Sequence, residues 1–150
     1  MRASLYCDGG ARGNPGPAGI GVVLLSEDGN LLAQLARSIG HATNNVAEYT
    51  ALIAGLELAQ ARGVTDLDVF LDSELVVSQL KGEWKIKKDQ LRSLAARAEL
   101  LLNRFENFSI SHVPRAQNAD ADKLANQAMD AAAEGIELST ESVQQNLFEN

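Results

Sequence analysis

The chain has 150 residues, 45% of them hydrophobic and 22% charged, with a formal charge of −7. That size and balance fit one globular domain with a single buried core, and no apolar run approaches the roughly 20 residues that span a bilayer. Cys7 is the only cysteine, which excludes an internal disulfide and every multi-cysteine zinc pattern. Inside a strand it reads as a small buried hydrophobe. The amino terminus has no apolar segment ahead of a small-residue cleavage site. A cytoplasmic monomer without a membrane partner is therefore expected.

Residues 4–8 read as a strand ending on Asp8. The segment GGARGNPGP follows, and its four glycines and two prolines predict a loop. Residues 18–26 and 31–39 are strand-like, joined by Glu27-Asp28-Gly29-Asn30, which contains the Asp-Gly signal of a tight hairpin. Thr43 or Asn44 can cap a helix that runs to about Arg62 and closes at Gly63. Glu48, Ala51, Leu52, Gly55 and Ala59 share one face of that helix, so Glu48 stands beside residues that pack on a sheet.

Residues 65–71 form the next strand and again lead into an acid, Asp72. A short helix over 73–80 breaks at Gly82, and a longer one spans about 88–105. Residues 108–113 make a last strand. An Ala-rich helix over 118–133 carries Asp122 in its first turns. Residues 135–150 show no sustained period and read as a flexible acidic tail behind a domain of residues 1–134. Three hairpin-linked strands followed by strands joined through helices imply an α/β fold. Its five-stranded sheet would be antiparallel at one edge and parallel beyond it, with about four flanking helices.

Asp8 and Asp72 at strand ends, Glu48 on the inward face of a helix and Asp122 at a helix start converge on one edge of such a sheet. Clustered carboxylates repel unless a positive charge sits among them. A divalent cation is the natural counter-charge for four such acids, and oxygen-only ligation selects magnesium or manganese over zinc. Taken singly, each acid also reads as a turn former or a helix-dipole partner. Sequence context decides.

The strings LYCDGGARGNPGPAGIG, TNNVAEYTAL, VFLDSELVV and HVPRAQNADADKLAN, in this order, resemble type 1 ribonuclease H over about residues 3–132. The resemblance implies the ribonuclease H fold and an endonuclease that hydrolyses the RNA strand of RNA–DNA hybrids, leaving 5′-phosphate and 3′-hydroxyl ends. It implies Asp8, Glu48, Asp72 and Asp122 as metal ligands for two Mg²⁺ ions, with Mn²⁺ as a substitute, bracketing the scissile phosphate. It also implies that Asn14, Thr43, Asn44 and Asn45 contact the hybrid. The asparagines suit 2′-hydroxyls and base edges in a shallow minor groove, and Thr43 suits a DNA phosphate beside a helix amino terminus. The same residues also read as plain turn and cap formers.

Three features depart from the family pattern. Many members carry a loop histidine before the last acid, where this chain has VPRAQN with Arg115; His112 lies in the predicted strand. Arginine does not shuttle protons at neutral pH, so Arg115 is expected to assist electrostatically. The basic, Trp-rich protrusion of longer members is reduced to LKGEWKIKKDQL. Within it, Trp84, Lys85, Lys87 and Lys88 offer a stacking face and phosphate contacts, although Trp84 also reads as a core residue at the helix junction. Glu74 replaces a glutamine found in some members and is expected to be a first-turn helix acid.

In the tail, Gln144, Leu147 and Phe148 match the Q-x-x-L-F pattern of sliding-clamp-binding peptides. Two other functions compete: a ribonuclease H-fold nuclease of broader range that also cuts double-stranded RNA, and a non-catalytic hybrid-binding module. A dinucleotide-binding role is rejected, because the glycine-rich loop lacks G-x-G-x-x-G before a helix. Net charge decides little. Residues 1–133 hold all 13 Lys and Arg and 16 of the 20 acids, and four bound carboxylates would offset their small excess.

Overall fold

The computed structural model describes residues 1–143. Chain order is β1 (Arg2–Ala11), β2 (Gly16–Ser26), β3 (Leu31–Ala42), α1 (Asn44–Ala61), β4 (Asp66–Leu71), α2 (Glu74–Leu80), α3 (Asp89–Leu102) and β5 (Asn107–His112). A 3-10 turn at Arg115–Asn118 then leads into α4 (Ala119–Ala133) and β6 (Ser139–Val143). The sheet runs β5-β4-β1-β2-β3-β6. β1, β2, β3 and β6 pair antiparallel, whereas β4 pairs parallel with both β1 and β5. The expected α/β mixed sheet is present.

Two expectations need correction. The sheet has six strands rather than five, because Ser139–Val143, placed by sequence in the tail, pairs with Ala33–Arg37. A polar edge strand needs only backbone partners and carries no apolar alternation to announce it. The supposed loop GGARGNPGP is mostly strand: β1 continues through Gly9, Gly10 and Ala11, which pair with Ile20, Gly19 and Ala18. Only Arg12–Pro15 turn. The tail residues Gln144, Leu147 and Phe148 lie outside the described residues.

Those strand glycines exist for close approach. A Cβ on Gly9 would stand 2.2 Å from the Ala47 carbonyl oxygen of α1. One on Gly21 would stand 2.2 Å from the Ala121 carbonyl oxygen and 2.6 Å from the Ala125 nitrogen of α4. Within α1, a Cβ on Gly55 would fall 2.7 Å from Cys7 Sγ. Helix backbone therefore lies directly on strand backbone on both faces of the sheet. On the α1 face, Leu5, Ile20, Leu24, Leu52, Leu56 and Val69 form a fully buried core. The Thr43 hydroxyl caps α1 by accepting from Val46 N–H at 3.2 Å, and Ser73 caps α2 in the same way at 3.3 Å. Among the described residues no helix is long and apolar enough to cross a membrane.

Gly21→Ala forces one methyl against backbone on two sides, and the expected cost is about 3 kcal/mol of folding stability. Gly29 has φ +83° with nothing within 4 Å of a built Cβ, so Gly29→Ala carries only the left-handed penalty of about 1 kcal/mol. Urea unfolding of both variants checks the order; equal losses would contradict the close-approach account.

Candidate metal centre and nucleic-acid interface

Parallel pairing of β1 with β4 ends at Cys7 opposite Leu71, and the next residue of each strand is an acid. Asp8 and Asp72 thus emerge side by side at the carboxyl end of the sheet centre, one strand spacing apart. Gly9 lets α1 sit on β1 at this point, which brings Glu48 in beside the Gly9 backbone. Carboxylate oxygens of Asp8, Glu48 and Asp72 all lie within 4.8 Å of one another. Asp122, in the first turn of α4, completes the set from the opposite face and shares a hydrogen bond with the Asp8 carboxyl. All four line one open cleft together with Arg12, Asn44, Arg115 and Asn126.

The electrostatics follow from this crowding. Asp8 is buried, at 7% exposure. Burial, the hydrogen bond with Asp122 and the charges of Asp72 and Asp122 push its pKa up to about 8. Glu48 is also raised, first by burial and then by Asp8 and Asp72. The nearest cation is Arg115, whose Nη2 donates to Asp122 Oδ1 at 3.1 Å while its side chain stays 75% exposed. One surface guanidinium does not neutralise four acids. Hard oxygen donors held this close, two of them driven toward protonation, fit a divalent cation.

The cleft has a tied rim. Asn14 Oδ1 accepts from Asn44 N–H at 3.0 Å, and Asn44 Oδ1 accepts from Ala11 N–H at 2.9 Å. The turn of residues 12–15 is thereby locked to the start of α1. Arg12 locks it to α4, donating to Asp130 Oδ1 at 2.7 Å and to Asn126 Oδ1 at 2.8 Å. Asn45 is half-buried in the first turn of α1. Arg12 and Asn126 escaped sequence analysis, since their partners lie more than a hundred residues apart. Asn118 escaped it too. It is fully buried, and its Nδ2 donates to the Cys7 carbonyl at 2.9 Å, tying the start of α4 to the residue before Asp8.

Other predicted site residues stand apart from the acids. Trp84 is 45% exposed, which overturns the core alternative; Ile86 packs against the core instead. Lys85, Lys87 and Lys88 are exposed on the same segment between α2 and α3. His112 is exposed at the end of β5, paired in register with Leu71. Glu74 occupies the first turn of α2, as expected of a helix acid.

Comparison with known proteins agrees with this geometry. Residues 6–128 match the family described as reverse transcriptase-like. The chain is 50% identical over 135 residues to the bifunctional protein Rv2228c of Mycobacterium tuberculosis, covering 89% of this chain but only 37% of that protein. The solved N-terminal RNase H domain of Rv2228c superposes with a TM-score of 0.88 at 48% identity, covering 90% of this chain and 98% of that one. RNase H1 of the archaeon Halobacterium salinarum gives 0.85 at 51% identity, with 87% and 98% covered. LC11-RNase H1, isolated from compost and solved with an RNA/DNA hybrid, gives 0.82 at 45% identity, with 87% and 98% covered. With its fold, its acids and these relatives in agreement, the chain belongs to the type 1 ribonuclease H family.

Proposed function

We propose that the chain is an endoribonuclease that hydrolyses the RNA strand of RNA–DNA hybrids, leaving 5′-phosphate and 3′-hydroxyl ends. The observation that carries this is the convergence of Asp8, Glu48 and Asp72 oxygens within 4.8 Å at the sheet's central strand ends. The substrate class is supported by likeness to LC11-RNase H1, 45% identical and solved with a hybrid.

Asp8, Glu48, Asp72 and Asp122 would hold two magnesium ions, with manganese as a substitute. When bound, such cations supply Lewis acidity at the phosphate and ready a water for attack. The protein's own groups do the rest. Arg115 offsets negative charge that develops on the phosphate, a task needing a fixed cation rather than a proton carrier. His112 is assigned no role.

Asn14, Thr43, Asn44 and Asn45 face the hybrid. The amide oxygens of Asn14 and Asn44 each accept one backbone N–H, which orients the side chains and leaves their NH₂ groups free to donate. They accordingly read acceptors, namely 2′-oxygens and minor-groove base acceptors. The Thr43 hydroxyl oxygen is used for capping, which leaves its proton for a DNA phosphate. Trp84, Lys85, Lys87 and Lys88 add stacking and phosphate contacts beyond the cleft. In the tail, Gln144, Leu147 and Phe148 bind a sliding clamp, and the Leu-Phe pair supplies the apolar anchor. Titration calorimetry of a peptide spanning residues 141–150 against a clamp protein is expected to give saturable binding that Phe148→Ala removes; no heat from the intact peptide would dispose of it.

A labelled RNA–DNA hybrid should be cleaved with magnesium and left intact with chelator, and Asp8→Asn should lower the rate on the order of 10³-fold. Equal cleavage of duplex RNA would make this a broader nuclease, and hybrid binding without cleavage would make it a binding module. In the same assay Arg115→Ala should lower turnover about tenfold, a modest loss for an exposed donor. The shape of its pH profile should not change, because arginine does not titrate in this range.

Stability gives an independent readout. Asp8 keeps its proton to about pH 8 when folded, while an unfolded aspartate releases it near pH 3.9 (an approximate reference value). A raised folded pKa means that the metal-free protein loses stability as pH climbs from about 4 to about 8. In chelator at pH 8, Asp8→Asn should therefore melt about 5 °C above the parent, and the gap should close by about pH 4.

A further inference from the structure

The segment between α2 and α3 has no regular structure, yet its backbone is held at almost every residue. Glu83 and Trp84 N–H both donate to the Ser78 carbonyl, at 2.9 and 3.2 Å. The next three carbonyls are taken by side chains. Lys85 O accepts from Gln79 Nε2 at 3.4 Å, Ile86 O from Arg92 Nε at 2.8 Å, and Lys87 O from Arg92 Nη2 at 3.0 Å.

Gln79 is itself fixed. It is 8% exposed, and its Oε1 accepts from the hydroxyl of fully buried Tyr49 at 2.6 Å. A backbone carbonyl only accepts, so the amide has one workable orientation: NH₂ toward Lys85, oxygen toward Tyr49. Arg92 is oriented in turn by Asp89, one helical turn away at 3.1 Å. Its planar fork reaches two successive carbonyls, which a lysine's single ammonium does not match. Arg92 therefore spends its donors on the protein itself, although composition would count it among the basic residues available to nucleic acid.

We propose that Arg92 and Gln79 are positioning residues for substrate binding, which fix the turn of residues 82–88 so that Trp84, Lys85, Lys87 and Lys88 meet the hybrid preformed. This rests on the reading, given above, that this segment contacts the hybrid. Four long or bulky exposed side chains on an unfastened loop would each lose backbone freedom on binding. Fastening the backbone beforehand removes that cost, and it does so for a chain in which only a short basic segment is available.

The test measures KM, kcat and the salt dependence of hybrid binding for the full chain. Arg92→Lys keeps the charge and loses the fork; Gln79→Met keeps the shape and loses the donor to Lys85. The triple variant Lys85→Ala, Lys87→Ala, Lys88→Ala removes the loop charges. Arg92→Lys should raise KM about fivefold, the worth of about one net hydrogen bond, and Gln79→Met should act in the same direction. In both, kcat and the magnesium-induced rise in melting temperature should stay near parental values, which separates loop positioning from damage to the acids. The salt slope of Arg92→Lys should fall toward that of the triple variant. Adding Arg92→Lys to the triple variant combined with Trp84→Ala should cost nothing more.

Parental KM and salt slope in Arg92→Lys, with a clear loss in the triple variant, would overturn the positioning role while leaving the loop as a hybrid contact. Additive losses would make Arg92 a direct phosphate contact and would also overturn it. Parental binding in the triple variant would remove the loop contact itself, and the positioning role with it.

Discussion

Mutual repulsion among carboxylates at the ends of two adjacent parallel strands governs this molecule. Register forces it: β1 and β4 stay paired through Cys7 and Leu71, and each strand then delivers an acid. Helices on opposite faces bring Glu48 and Asp122 to the same point. Left alone, the cluster relieves itself by retaining protons, as the raised pKa of Asp8, about 8, records. A divalent cation held among these oxygens would relieve it better. The fold stores unfavourable electrostatics at one edge and is stabilised elsewhere by the core on the α1 face.

Such a cluster is assembled only if backbone approaches backbone closely. Gly9 and Gly21 play that part on the two faces, admitting α1 and α4 to within contact of bare strand. A side chain at either position would lift a helix, and with it Glu48 or Asp122, away from Asp8. The polar ties act in the same direction. Asn118 joins the start of α4 to Cys7, while the reciprocal Asn14 and Asn44 bonds fasten the rim turn to α1. Preorganisation of this kind places charge and donors before substrate arrives, and little reorganisation is left for the moment of reaction.

Most of the fold was legible because periodicity reports burial. The succession of elements along the chain, a helix cap at Thr43 or Asn44 and the grouping of the four acids could all be read locally. The glycine-rich stretch misled, since glycine signals both a turn and a strand onto which a helix presses, and only the partner tells which. β6 was hidden because an edge strand of Ser, Thr and Glu needs no apolar face. Trp84 remained ambiguous until its neighbours were known. Arg12, Arg92 and Asn118 went unrecognised for a related reason: each acts on backbone or side chains that the sequence does not place beside it.

The metal-free acid cluster carries protons that a bound cation would have to displace. Calorimetric titration of magnesium into the chelator-treated protein at pH 7, repeated in buffers of different ionisation enthalpy, measures this directly. A pKa of about 8 for Asp8, with Glu48 raised beside it, predicts net proton release on binding that shrinks in Asp8→Asn. Magnesium binding with no dependence on buffer enthalpy would contradict it.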